Sequence, residues 1–325
     1  MTVEHSGEPG GPANDLQDIE VAGGRIGWLA AADGSRLRHA YWPALTGDSR
    51  PLVLLLGFTE FIEKYLDVVE RLRRRGFAVW MMDWRGQGLS QRPLADRQKP
   101  HINDFAIHEA DLALFMRAIV APACRYPPVI LAHSMGAHIA LRWLHEHPSE
   151  AERAVLIAPM IDLALGPTLR ILARWLAWSA TCLGLGRLYA PGASHYGPDR
   201  AVFAGNRLTS DPERFQIAHR LIARNPLLST GGPTLGWLDA AFRSMASLRR
   251  PGFPEGIRTP ILLVQAGRDS LVSSRAQARL GARLPQVQVV SIGDSKHEVL
   301  KERDELQRVF WSAFDRFVGK ESGEG

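Results

Sequence analysis

Val129-Ile130-Leu131-Ala132-His133-Ser134-Met135-Gly136 is an apolar strand pattern that ends on a serine between a small residue and a glycine. A serine hydroxyl is a poor nucleophile, and hydrolases activate it by setting it on a sharp strand-to-helix turn where a histidine can take its proton. The general pattern for such a turn is G-x-S-x-G. Ala132 stands at the first glycine and is small enough to pack closely behind the turn. A small-x-Ser-x-Gly also arises by chance, so the surrounding chain decides what this one means.

Upstream, Pro51 to Leu56 is a continuous apolar run, which predicts a buried strand, and it ends in Gly57-Phe58-Thr59-Glu60. Ile62, Leu66, Val69 and Leu72 recur at helical spacing, with Gly76 as the stop. The next strand, Phe77 to Met82, opens into Asp83-Trp84-Arg85-Gly86-Gln87-Gly88-Leu89-Ser90. A helix over about 104–120 leads to the serine strand, and a helix from Met135 to His147 leads to a strand over 154–158. At the front, 25–30 and 37–42 read as a hairpin joined through Asp33-Gly34. This alternation predicts an α/β fold: a mostly parallel sheet with helices on both faces.

Past Pro159 the rhythm breaks. Residues 159–254 are rich in Trp, Leu, Gly and Pro and contain helical pieces without long strand-like runs. Strands resume at 260–266 and 287–292, followed by a C-terminal helix with Leu306, Val309, Phe310, Ala313, Phe314 and Phe317 on one apolar face. The chain therefore divides into a tail (1–15), an α/β core (16–158 and 255–318), an inserted helical cap or lid (159–254) and a short C-terminal tail (319–325). An insertion at this point covers the carboxyl edge of the sheet, where open α/β sheets bind ligands.

Composition bounds the function classes. Hydrophobic residues make up 46% and charged residues 22%, an ordinary globular balance. The net charge of +5 comes largely from scattered arginines such as Arg71, Arg73, Arg74 and Arg75, which read as a solvated helix end. No interleaving of aromatic and basic residues points to nucleic acid. Cys124 and Cys182 lie far apart with no metal-type spacing, so buried free thiols are expected, with no disulfide framework and no metal site. The N-terminal residues lack the apolar core of a secretory signal, and the most apolar internal stretch, 175–186, is shorter than the ~20 residues of a membrane span. A cytoplasmic location is expected, with peripheral contact at the inner face of the membrane as its variant.

A nucleophilic serine needs a base and an orienting acid from other strand ends. Asp269 in Gly267-Arg268-Asp269-Ser270 follows one late strand, and His297 in Lys296-His297-Glu298 follows the next. Ser134, Asp269, His297 is the chain order of the α/β-hydrolase triad. His133, His138, His145 and His147 follow no late strand, and Asp162, Asp239 and Asp294 are weaker acids by position. The oxyanion that forms needs two donors, and the backbone N–H groups of Met135 and Phe58 stand where they would supply them. The segment around Gln87 reads as a tight structural loop beside the site.

These residues resemble the α/β-hydrolase superfamily, and within it the branch of bacterial lysophospholipases and monoacylglycerol lipases. DWRGQGLS is similar to that branch's D-x-RG-x-G-x-S segment, AHSMG to its nucleophile elbow, and GRDSLV with KHE to its acid and histidine loops. The similarity spans about 37–318. Gly57-Phe58-Thr59-Glu60 with Lys64-Tyr65, and Gly231-Gly232-Pro233-Thr234 with Trp237, favour the lysophospholipase type. Monoacylglycerol lipases carry His-Gly-x-Gly where this chain has Leu56 and Thr59. The resemblance implies ester hydrolysis through an acyl-enzyme without metal or organic cofactor, on a lysophospholipid or other single-chain lipid ester. Leu169, Leu172, Trp175, Leu176 and Trp178 would line an acyl site, form the core of the cap, or let the cap touch a membrane with Arg170 and Arg174 on the polar side. Trp237 could hold a cationic head group. Monoacylglycerol lipase, short-chain carboxylesterase, aminopeptidase-like enzyme and noncatalytic binding protein remain the alternatives.

Overall fold

The structure, a computed structural model, describes residues 14–46 and 49–319. The expected N-terminal tail lies outside the described residues up to 13, and its last two positions open the first helix, α1 (Asn14–Val21). Of the C-terminal tail only Gly319 is described.

An eight-stranded sheet runs in the order β1-β2-β4-β3-β5-β6-β7-β8. Its strands are β1 (Arg25–Ala30), β2 (Arg36–Trp42), β3 (Arg50–Leu55), β4 (Phe77–Met82), β5 (Val129–His133), β6 (Arg153–Ile157), β7 (Ile261–Ala266) and β8 (Val287–Ile292). The hairpin β1–β2 is antiparallel and β2 pairs antiparallel with β4, while every pairing from β4 to β8 is parallel. The central strands β4 and β5 are buried at every position, as continuous apolar runs covered on both faces must be. The edge strand β8 is largely exposed on one side.

Between β3 and β4 lies α2 (Leu66–Arg74), which stops where Gly76 takes φ +83°, a left-handed conformation that glycine adopts without penalty. The helix before β5 is α3 (Ala106–Phe115), and the expected continuation to Val120 widens into a π-helical turn over Met116–Val120. After β5 comes α4 (Met135–Glu146). Between β6 and β7 lie α5 (Pro167–Cys182), α6 (Pro212–Arg224), α7 (Leu235–Leu248) and the short α8 (Phe253–Gly256), with no strand of their own. The core resumes with α9 (Ser274–Gly281) and closes with α10 (Asp304–Val318).

Some expectations need correction. On α10, Val309 is exposed, and Trp311 is buried in its place against Phe310 and Phe314. Arg73 and Arg75 are not solvated: Arg73 is buried and donates to the carbonyls of Pro43 and Ala22, while Arg75 pairs with Asp315 over the Trp311 ring. Both thiols are free, but Cys182 is exposed because α5 covers only one of its faces, and Cys124 is half-buried.

Candidate active site

Ser134 sits between β5 and α4 with φ +51° and ψ −111°, a strained backbone for a non-glycine residue. Its N–H donates to Ile157 O and its carbonyl accepts from His138 N and Met160 N, so the turn is fixed at both peptide groups. Gly136 explains the glycine of the motif. A Cβ there would lie 2.5 Å from Leu56 O and 2.7 Å from Leu55 O, so α4 crosses β3 in backbone-to-backbone contact. Ala132 is fully buried, in register between Leu55 and Leu156 of the neighbouring strands.

The structure brings Ser134, Asp269 and His297 together from three strand ends. His297 Nε2 lies 2.9 Å from Ser134 Oγ, and His297 Nδ1 lies 2.7 Å from Asp269 Oδ2. Asp269 Oδ1 accepts from the N–H groups of Leu271 and Val272 at 2.8 and 3.0 Å, which fixes the carboxylate in plane. Burial pushes the Asp269 carboxyl up, but the hydrogen bond and charge of His297, with those two N–H groups, outweigh it and hold the group below its ordinary value. With Nδ1–H committed to the carboxylate, Nε2 is left to accept the serine proton, the tautomer that general-base catalysis requires. The competing acids are engaged elsewhere: Asp162 with Arg170 and Arg249, Asp239 with Arg243, and Asp294 with Arg268. His138 Nδ1 donates to Met160 O while its Nε2 bonds Ser244 Oγ, and His145 and His147 donate to Phe253 O and Trp143 O.

The two candidate oxyanion donors are backbone groups in different loops. Met135 N–H is the first of α4, one of the N–H groups a helix start leaves unpaired. Phe58 N–H lies in the loop after β3, and among the described residues no backbone carbonyl accepts from either. That loop is held by a residue whose role sequence reasoning did not reach. Gln87 Oε1 accepts from Thr59 N at 2.9 Å and Gln87 Nε2 donates to Gly57 O at 3.0 Å, so one amide clamps the peptides on both sides of Phe58. Thr59 takes φ +63° there. Gln87 is in turn presented by the DWRGQGLS loop, which has the structural role expected of it. Asp83 accepts from Ile62 N, Leu89 N and Arg38, and a Cβ at Gly88 would run into the Asp83 carboxylate at 2.2 Å.

Behind the elbow, Glu60, Lys64, Tyr65, His133 and Glu298 form a second buried polar cluster. In sequence, Glu60, Lys64 and Tyr65 serve only as marks of the lysophospholipase type; Lys64 and Glu298, two charged side chains beside site loops, were the available signal of the cluster.

Trp237 is buried at 5% exposure, with its ring 4.2 Å from Phe58 and 5.6 Å from Phe105. It offers no open aromatic face to a cationic head group and instead backs the oxyanion loop. Leu169, Leu172, Trp175, Leu176 and Trp178 are 46–61% exposed. They are therefore neither the core of the inserted segment nor the wall of an enclosed acyl tunnel. The reason is packing: α5 buries Ala177 and Ala180 near Leu235 and Leu238, where small residues allow the close approach seen between Gly186 and Gly236.

The fold and this arrangement have known counterparts. The profile of the serine aminopeptidase S33 family, Hydrolase_4, matches residues 48–304, a span that runs from β3 through the Asp269 and His297 loops. The chain belongs to this family. Lysophospholipase L2 of Escherichia coli K12 is 30% identical over 279 residues, covering 83% of this chain and 81% of the relative. A probable lysophospholipase L2 of Haemophilus influenzae is 29% identical over 271 residues, covering 83% and 84%. A monoglyceride lipase of Saccharomyces cerevisiae, solved with a substrate analogue, superposes with a TM-score of 0.69 at 17% identity, covering 91% of this chain and 96% of that one, and shares the α/β-hydrolase fold.

Proposed function

We propose that this S33 family member is a serine hydrolase that cleaves the carboxylic ester of single-chain lipids, with lysophospholipid as its substrate class. The observation that carries the proposal is the continuous Asp269–His297–Ser134 hydrogen-bond chain ending on a strained elbow. His297 Nε2 takes the Ser134 proton as Oγ attacks the ester carbonyl, and the developing oxyanion is met by the N–H groups of Phe58 and Met135. Asp269 holds the imidazolium that forms. His297 then protonates the departing alkoxide, leaving an acyl-enzyme, and repeats both transfers with water to release the fatty acid. The similarity to lysophospholipase L2, 30% over 83% of this chain, supports the head group assignment over the monoglyceride lipases, which match at 24–26% identity.

The same reading includes contact with a lipid surface. No described helix is long and apolar enough to cross a membrane. The outward face of α5 nevertheless exposes Leu172, Trp175, Leu176 and Trp178. Beside it opens a cavity of about 670 Å³ lined by Arg170, Arg174, Arg249, Arg279 and Arg283 against one acid, Asp162. Apolar residues flanked by arginines suit an anionic bilayer surface. A panel of lysophospholipids, monoacylglycerols, nitrophenyl esters and aminoacyl anilides, with Ser134→Ala as control, tests the substrate. Preference for short soluble esters over every lipid would overturn it. Cosedimentation with phosphatidylglycerol vesicles, weakened in Trp175→Ser/Trp178→Ser, tests the surface; wild-type protein left in the supernatant would remove it.

A further inference from the structure

His133, the residue before the candidate nucleophile, is buried at 3% exposure with both ring nitrogens facing acceptors. Nδ1 lies 3.1 Å from Glu60 Oε2, and Nε2 lies 3.2 Å from the backbone carbonyl of His297. The carbonyl can only accept. Glu60 is also an acceptor throughout: Oε2 receives Gly57 N–H at 2.5 Å, and Oε1 receives Lys64 Nζ at 2.9 Å and the Tyr65 hydroxyl at 2.7 Å. A protonated Glu60 could donate only to His133 Nδ1 or to the Tyr65 oxygen; burial favours that neutral form, but Lys64 and the hydrogen bonds Glu60 already accepts outweigh it and keep the carboxyl ionised. A neutral imidazole carries one N–H, so it would leave one nitrogen lone pair aimed at an oxygen lone pair in a buried site. With Glu60 ionised, only the imidazolium satisfies both contacts.

We propose that His133 is a doubly protonated positioning residue that ties the backbone of His297 to the oxyanion loop through Glu60. The proposal rests on the triad reading above. Charge arithmetic supports it: the groups facing His133 are Glu60, Glu298 and Lys64, with Lys64 Nζ 2.6 Å from Glu298 Oε1 and Tyr65 neutral beside them. With His133 cationic, two carboxylates meet two cations and the buried cluster is neutral. With His133 neutral, one buried negative charge stands unbalanced. Burial works against the charged ring, but Glu60 and Glu298 raise the His133 pKa overall. Gly57 is part of the device, since a Cβ there would meet Glu60 Oε2 at 2.8 Å and His133 Nδ1 at 2.9 Å. One ring thus fixes the main chain of the base, whose own ring lies 4.8 Å away, relative to the loop that carries Phe58. His297 must pass one proton from Ser134 to the leaving group and a second from water back to Ser134. A shared anchor keeps donor and base in register through that cycle.

The test is nitrogen NMR of the protein labelled at histidine nitrogens, with His133→Gln and Glu60→Gln used for assignment. Wild type is expected to show one imidazolium with protons on both nitrogens at pH 7.5, lost in His133→Gln and converted to a neutral ring in Glu60→Gln. A neutral His133 in wild type overturns the proposal without needing any variant to fold. Fluorophosphonate labelling supplies the functional arm: both variants, checked for a native circular dichroism spectrum, should label about 10- to 100-fold more slowly than wild type. Wild-type rates in a folded variant overturn the positioning role. Failure of wild type to label at Ser134 would instead refute the triad reading, leaving the NMR result standing on its own.

Discussion

Replacing Gly136 by alanine should disable this protein although alanine is the better helix former. Gly136 lies in the first turn of α4, where alanine gains about 1 kcal/mol of helix propensity over glycine. Against that, its Cβ would sit 2.5 Å from Leu56 O, 2.7 Å from Leu55 O and 2.8 Å from Leu55 C, all main-chain atoms of the central sheet region. Ordinary contact begins at 3.4 Å, so α4 must retreat by about 0.9 Å or the end of β3 must bend. Overpacking of this kind costs about 1–3 kcal/mol, and with rigid main-chain atoms as the obstacle the upper part of that range applies and outweighs the propensity gain. The retreat carries Ser134 away from His297 and Met135 N–H away from the oxyanion position, and a displacement near 1 Å costs about a hundredfold in rate. Hydrolysis kinetics and thermal melts should show kcat down by about that factor and a melting temperature lower by a few degrees. Gly293→Ala is the control, since its Cβ meets open space at the same edge of the sheet. Unchanged kcat and stability in Gly136→Ala would refute the argument that close backbone contact holds the elbow.

Two other outcomes follow from the site and the core. Gln87→Leu removes the amide that clamps Gly57 O and Thr59 N, leaving the buried carbonyl unpaired at about 1–3 kcal/mol and the half-buried N–H without its partner. Steady-state kinetics should show kcat reduced at least about tenfold with little change in KM, because the donor acts mainly on the transition state. The fold should also be acid-labile well above the carboxylate range. Burial lowers His39 to about 4, and lowers His108 and His138 to about 3 with smaller cationic contributions. The unfolded chain therefore binds more protons than the folded one below pH 6.5, and stability is lost as pH falls through that range. Each group contributes about 1.4 kcal/mol per pH unit at most, so thermal melts should drop steeply between pH 6 and 4, and a flat profile would contradict neutral burial of these rings.

What sequence reading reached, and what it missed, follows from the range of the interactions. The elbow, the order Ser134, Asp269, His297 and the alternation of strands and helices are local patterns repeated along the chain, and each strand end announces its own loop. The Gln87 clamp and the Glu60–His133–Lys64–Glu298 cluster join loops far apart in the chain, and their members are ordinary polar residues in sequence. The face of α5 escaped for another reason. Arg170 and Arg174 mark one polar side, but large apolar residues spread over the rest of that helix, so periodicity does not say which of them pack, and the choice was made by alanines and glycines that permit close packing against α7. Large residues were left outside, the reverse of the usual rule for a core helix.

The central claim is that Ser134 is the nucleophile of a serine hydrolase, and intact-mass and peptide mass spectrometry after treatment with a fluorophosphonate tests it most directly. The account predicts one adduct per chain, carried by the peptide containing Ser134 and absent in Ser134→Ala. An adduct on another residue, or equal labelling of Ser134→Ala, would contradict it.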